Sequence, residues 1–332
     1  MIHVKQLVKT YKIPGRKTFL LRRSTNASVH SKTKEVVRGI SFDIAAGELV
    51  GFIGPNGAGK STTIKMLAGI LVPTSGTVEV NGIIPYKNRK AYTQQIGVVF
   101  GQRTALWWDI PVIDNLRLLR DIYRVPKKDF ETRLRMFSDL LDLHEFQNIP
   151  VRKLSLGQRV RSDFCAALMH SPRVLFLDEP TVGVDIVAKD RIRQFLRDVN
   201  RELAVTVILT THDLGDIEKI CSRMLIIDDG TIIYDGSVGE IKNRYGACRT
   251  LVIDFEHESG EEIHIPGATL VNSNGRRYWY RFNRLETTPA EMIAFLGTRH
   301  PIMDLTVEEP QIEDMVRTIY EKPGDIRLGK IL

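Results

Sequence analysis

The stretch "GELVGFIGPNGAGKSTTIKMLAGIL", residues 47–71, limits the fold more than any other part of the chain. A short apolar run, 47–54, comes first and predicts a buried strand. A glycine-rich loop follows. Helical spacing then appears at Ile64, Leu67, Ala68 and Leu71, predicting a helix over 61–71. Strand, loop and helix in this order are the setting in which G-x-x-x-x-G-K-[ST] holds phosphate. Here the pattern is Gly54, Pro55, Asn56, Gly57, Ala58, Gly59, Lys60 and Ser61, extended by Thr62. The glycines let the backbone curl until successive N–H groups point inward at phosphate oxygens. The helix starts at the same place, so its positive dipole end faces the same anion. Lys60 brings a mobile charge to the β- and γ-phosphates. Ser61 offers a hydroxyl to Mg²⁺.

A second buried strand, "RVLFLDEP" (173–180), ends in two acids. Open α/β sheets present ligands at the carboxyl ends of their strands. Asp178 is placed there to hold Mg²⁺, directly or through water. Glu179, one residue on, is the natural general base for an attacking water. A third buried strand, "VTVILTTHD" (205–213), ends at His212, whose imidazole can reach a γ-phosphate. Gln102, in "VVFGQR", follows another apolar strand and can offer an amide oxygen to Mg²⁺ or to the water.

Strand and helix patterns alternate through the first part of the chain, predicting a mostly parallel sheet covered by helices. From 111 to 146 the pattern is helical, with Phe130, Leu134, Phe137 and Leu141 on one stripe. A further helix is expected over 157–170. Another carries Ile192, Phe195, Val199 and Leu203 on one face. "MLIIDDGTIIYDG" (224–236) has Asp-Gly between apolar strands and reads as a hairpin. After about Gly246 the character changes. "TLVIDFE", "EEIHIP" and "RRYWYRF" alternate as strands do, and "PAEMIAFLGT" and "QIEDMVRTIYE" as short helices. The expected organisation is a nucleotide-binding domain over 1–240 and a small α+β domain over 247–332. Within the first, a helical subdomain covers about 103–170 and a basic insert about 12–38.

The net charge of +7 favours anionic partners without choosing among them. The basic stretch 12–39 reads as a solvated surface loop or hairpin first, and as a contact for anionic lipid headgroups or another phosphate-rich partner second. The three cysteines, Cys165, Cys221 and Cys248, form no C-x-x-C pair. That predicts a reduced cytosolic protein without a zinc site. No apolar run reaches the length of a bilayer span, so a membrane role requires another chain to supply it.

The ordered set of phosphate loop, "LSLGQ" (154–158), "VLFLDEP", "TVGVD" (181–185) and "TTHD" resembles the ATP-binding-cassette ATPases over residues 1 to about 240. The resemblance implies a P-loop nucleotide-binding cassette that binds and hydrolyses ATP with Mg²⁺. It implies that Tyr11 stacks on adenine and that Gln102 senses Mg²⁺ and the membrane partner. Ser155, Gly157 and Gln158 become the signature motif. Asp178 becomes the magnesium aspartate, Glu179 the catalytic base, Asp185 the D-loop aspartate and His212 the switch histidine. In that family two cassettes face head to tail, so the chain would need a second cassette to complete its site. The signature departs from Leu-Ser-Gly-Gly-Gln at Leu156. Trp107 and Trp108 are either core or apolar anchors for a transmembrane permease.

The ending "EEPQIEDMVRTIYE" resembles cassettes that pair with drug-export-type permeases. The expectation is therefore an exporter ATPase at the cytoplasmic face of the membrane. The alternative is a soluble cassette ATPase acting on ribosomes or nucleic acid. One cassette per chain and no long coiled coil argue against that alternative.

Overall fold

The protein is described by a computed structural model. It covers residues 1–13, 32–101, 103–245, 248–258, 263–297 and 299–321. The chain divides into two compact units, Met1–Asp235 and Gly236–Leu332.

The first unit runs β1 (Ile2–Ile13), β2 (Lys32–Ile44), β3 (Leu49–Ile53), α1 (Lys60–Leu67), β4 (Ser75–Val80), α2 (Arg89–Thr93), β5 (Ile96–Phe100), α3 (Val112–Tyr123) and α4 (Lys127–Leu141). It continues with α5 (Leu156–Leu168), β6 (Val174–Asp178), α6 (Ile186–Leu203), β7 (Thr206–Thr210), α7 (Leu214–Ile220), β8 (Arg223–Asp228) and β9 (Thr231–Ser237). Six strands form one sheet in the order β5-β6-β7-β3-β8-β9. The pairs β5–β6, β6–β7, β7–β3 and β3–β8 are parallel. Strands β3 and β7 are buried along their whole length, and β6 is buried up to Asp178. That burial explains their continuous apolar sequences, since a strand covered on both faces has no solvent side to alternate with.

A second, antiparallel sheet has the order β2-β1-β4. Its arms pair Tyr11 with Lys34 and Ile13 with Lys32, so both ends of the basic stretch are strand. Residues 14–31 of that stretch lie outside the described residues. Ile2, Val4, Leu7, Phe42 and Val78 of this sheet share one core with Phe52, Ile64 and Phe176.

Several boundaries differ from the sequence expectation. The helix after the phosphate loop stops at Leu67, not at residue 71, because Gly69 turns the chain at φ +72°. Leu203 is exposed in the last turn of α6, whereas Ile192, Phe195 and Val199 are buried as expected. The β8–β9 turn has positive φ at both Asp229 and Gly230, as tight hairpins require.

The second unit holds α8 (Val238–Tyr245), β10 (Cys248–Phe255), β11 (Ala268–Asn274), β12 (Arg277–Asn283), α9 (Pro289–Gly297), β13 (Ile302–Glu308) and α10 (Ile312–Glu321). Its sheet is antiparallel in the order β11-β12-β10-β13. Leu251, Ile253, Tyr278, Tyr280 and Phe282 cluster with Met292 and Leu296 of α9. The expected strand "EEIHIP" is not one over 263–266. Ile263 and Ile265 are buried as loop residues, and the Tyr280 hydroxyl donates to the Ile263 carbonyl at 2.8 Å. Pro266 has no N–H to give a ladder.

Among the described residues no helix is long and apolar enough to cross a membrane.

Candidate nucleotide site

Parallel pairing fixes the site. Register sets Phe100 beside Asp178, Asp178 beside Thr210, and Phe52 beside Thr210. Four strands therefore end at one edge of the sheet. They deliver Gly101, the acids, the 210–212 segment and the phosphate loop to one place.

The loop needs its glycines for two different reasons. A Cβ at Gly54 would stand 2.2 Å from the Ile227 carbonyl oxygen, so the backbone there is pressed against β8. Gly57 has open space around it but a φ of +86°, and Gly59 has a φ of +109°. Non-glycine residues take such angles at a cost of about 1–2 kcal/mol. Lys60 is only 5% exposed. Its ammonium donates to the carbonyls of Gly54 at 2.6 Å and Pro55 at 3.2 Å, which holds it over the loop. Burial lowers its pKa, and the charges of Glu179 and Asp178 act against that shift.

Asp178 is the centre of a hydroxyl cluster. Its Oδ1 accepts the Ser61 hydroxyl at 3.0 Å and the Thr210 hydroxyl at 2.7 Å. Ser61 and Asp178 thus bring together a hydroxyl and a carboxylate oxygen. Such hard oxygen donors suit Mg²⁺, which takes one or two protein oxygens beside phosphate and water. The donor set fits the ion.

Glu179 has a left-handed backbone, φ +52°. Its amide donates to the Thr210 carbonyl at 3.0 Å and is 3.1 Å from the Thr210 hydroxyl oxygen. Its carboxylate lies 3.4 Å from Nδ1 of His212. Gly101 closes the other side of the same residue, because a Cβ there would stand 1.8 Å from the Glu179 carbonyl oxygen. Ser61, Lys65, Gly101, Arg103, Asp178 and Glu179 line a cleft of about 520 Å³. Gln102 lies outside the described residues. Thr210 and Gly101 escaped the sequence reading. A threonine closing a buried strand just before Thr211 and His212 was the available signal for the first.

The signature residues form a second group. Ser155 caps α5 in a reciprocal box: its Oγ accepts the Gln158 amide at 3.2 Å, and the Gln158 side chain accepts the Ser155 amide at 3.0 Å. Asp185 caps α6 by accepting the Ala188 amide at 2.9 Å. The two caps are neighbours. A Cβ on Gly157 would stand 3.2 Å from the Ala188 methyl and 3.7 Å from Asp185 Oδ2. Leu156, 38% exposed, leans on the loop before α6: its Cδ2 is 3.1 Å from where a Gly183 Cβ would be. Tyr11 stands near the end of β1 with the Lys9 ammonium 5.4 Å from its ring centre. Trp107 and Trp108 are 48% and 49% exposed, so they are not core residues.

A parallel sheet whose first inner strand runs through a glycine loop into a helix, with an acid on the neighbouring strand, defines a P-loop nucleoside triphosphatase. The ABC transporter family model matches residues 37–182. The chain is 31% identical over 207 residues to the ABC transporter ATP-binding protein NatA of Bacillus subtilis (strain 168), covering 62% of this chain and 84% of that protein. It is 36% identical over 213 residues to the linearmycin resistance ATP-binding protein LnrL of the same organism, covering 64% and 68%. It is 34% identical to the methionine import ATP-binding protein MetN 2 of Enterococcus faecalis (strain ATCC 700802 / V583), spanning 60% of that relative. A dimeric ATP-binding cassette solved in a post-hydrolysis state with ADP and Pi superposes with a TM-score of 0.60 at 25% identity, over 72% of this chain and 99% of that one. The chain belongs to the ABC transporter ATP-binding family and is an ATP-binding cassette ATPase.

Proposed function

We propose that the chain is the ATPase subunit of an exporter, working as a head-to-tail pair of cassettes beneath a separate transmembrane permease at the cytoplasmic face of the membrane. The observation that carries the hydrolytic part is the constellation Ser61–Asp178–Thr210–Glu179–His212 at one sheet edge. Ser61 and Asp178 would hold Mg²⁺, which when bound would neutralise charge on the phosphates. Lys60 adds a fixed positive charge beside it. Glu179 takes the proton of the attacking water, and His212, 3.4 Å away, orients the carboxylate and the γ-phosphate. Ser155 and Gly157 of one copy meet the nucleotide held by the phosphate loop of the other. In this reading Asp185 holds that signature end in place from α6. Tyr11 would stack on adenine, and Gln102 would act as the glutamine that senses Mg²⁺ and the permease.

Export is supported by the resemblance of the 308–321 segment to drug-export cassettes, and by a relative named for linearmycin resistance. Relatives named for import share the same cassette, so direction rests on those two features.

Glu179→Gln tests the chemistry. It keeps a side chain of the same shape and removes the base. Hydrolysis should fall by about 10²–10⁴ while ATP still binds and gathers the protein into dimers. Wild-type turnover in this variant would remove Glu179 from its role. Transport is tested by uptake into inverted membrane vesicles that hold the chain with its permease. ATP-driven efflux from those vesicles would reverse the assigned direction.

A further inference from the structure

The helix that begins at Ser155 is fastened along its flank to the segment that follows position 102. Asp163 lies two turns into α5 and is only 7% exposed. Its Oδ1 accepts the Thr104 hydroxyl at 2.7 Å and the Ala105 amide at 3.1 Å. The Thr104 hydroxyl oxygen accepts the Leu106 amide at 3.1 Å in turn. Four residues earlier, on the same helix face, the Arg159 guanidinium sits 4.6 Å from the centre of the Trp108 ring.

The far side of this segment is fixed as well. Asn115 of α3 is fully buried. Its Oδ1 accepts the Trp107 amide at 2.7 Å, and its Nδ2 donates to the carbonyls of Trp107 and Pro111, both at 3.1 Å. The Trp108 carbonyl accepts the Arg152 amide at 3.0 Å. Residues 104–111 are thus one rigid piece with α5, yet both indoles stay half exposed.

Helix propensity does not call for aspartate in mid-helix. Nor does burial, which disfavours the carboxylate and pushes its pKa up to about 6. What the residue does gain is the pair of bonds to Thr104 and Ala105. Eight residues separate Asp163 from Ser155, about 12 Å of stiff helix.

We propose that Asp163 is a positioning residue: it couples the exposed Trp107–Trp108 surface, where a permease helix would sit, to the Ser155 end of α5, and so sets how well Ser155 and Gly157 close on the nucleotide of the second copy. This rests on the two-copy site described under the proposed function. Asp163 acts only through α5.

The test uses the full chain in the Glu179→Gln background. It measures the ATP concentration at which half the protein is dimeric, and separately ATP binding by the monomer. Asp163→Val removes the acceptor and should raise the dimerisation midpoint about tenfold, within the usual range of coupling between sites. Binding by the monomer should stay unchanged, because the phosphate loop lies on another element. Asp163→Asn keeps an oxygen for Thr104 and Ala105 and should stay near the parent. Thr104→Val removes one donor without touching the helix and should shift the midpoint in the same direction by a smaller factor. It decides the matter if Asp163→Val does not fold. An unchanged midpoint in folded Asp163→Val or in Thr104→Val overturns this inference alone. A Glu179→Gln parent that stays monomeric at saturating ATP overturns the two-copy site and this inference with it.

Discussion

Gly101→Ala adds one methyl group where the structure leaves least room. The new Cβ would stand 1.8 Å from the Glu179 carbonyl oxygen, 2.7 Å from its carbonyl carbon and 3.3 Å from Pro180 Cα. Ordinary contact begins near 3.4 Å, so about 1.6 Å of separation must be found. The nearest atoms are backbone, so no side chain can swing away. The Gly101 amide is tied to the Asp178 carbonyl at 2.9 Å, and the Glu179 amide to Thr210 at 3.0 Å. The strain therefore falls on the proposed base and its neighbour. Misplacing a reacting group by about 1 Å costs about 10²-fold in rate. That is about 2.7 kcal/mol of transition-state stabilisation. Overpacking of this kind also lowers stability by about 1–3 kcal/mol. Steady-state hydrolysis gives kcat, titration with a fluorescent nucleotide gives binding, and thermal melting confirms the fold. The expected pattern is low kcat with binding intact. A folded variant with wild-type kcat would show that Glu179 need not be held where Gly101 holds it.

Thr210→Val keeps shape but removes the hydroxyl from Asp178; stability should fall by about 1–2 kcal/mol by denaturant melts, and kcat should drop with it. Asp163→Asn should alter the pH dependence of stability. Because burial raises the folded pKa from 3.8 to about 6, the native state takes up a proton that the unfolded chain does not between those values. Stability is thus lost as pH rises through that window, by up to about 3 kcal/mol. Asparagine should therefore stabilise above pH 6 and not below pH 4, as urea titrations at several pH values would show. Leu156→Gly releases the contact over Gly183 and should raise ATPase turnover by up to about fivefold, the equivalent of about 1 kcal/mol of apolar contact. Unchanged turnover would make Leu156 a neutral variation.

What the sequence made legible follows burial. The strands β3, β6 and β7 announce themselves because both faces are covered, leaving uninterrupted Val, Leu, Ile and Phe. The glycine loop and the acids were readable because their chemistry is local. β11 and β13 were not, since they are edge strands with mostly exposed side chains and carry little alternation. "EEIHIP" failed in the opposite sense: Ile263 and Ile265 alternate into a core without any ladder. Thr210, Gly101 and Asp163 depend on partners 31, 78 and 59 residues away, which no local window contains.

The reciprocal cap at Ser155 separates two demands that usually travel together. Serine, threonine, aspartate and asparagine all start helices well. All would accept the Gln158 amide. A hydroxyl spends a lone pair on the cap and still has a proton on the same atom to give away, which a carboxylate lacks. Aspartate at this position would keep α5 folded and, in the proposed two-copy site, turn a donor into a negative charge facing a polyanion. Helix stability therefore tolerates aspartate where the proposed phosphate contact does not, and Ser155→Asp would yield a protein that melts normally and fails to close.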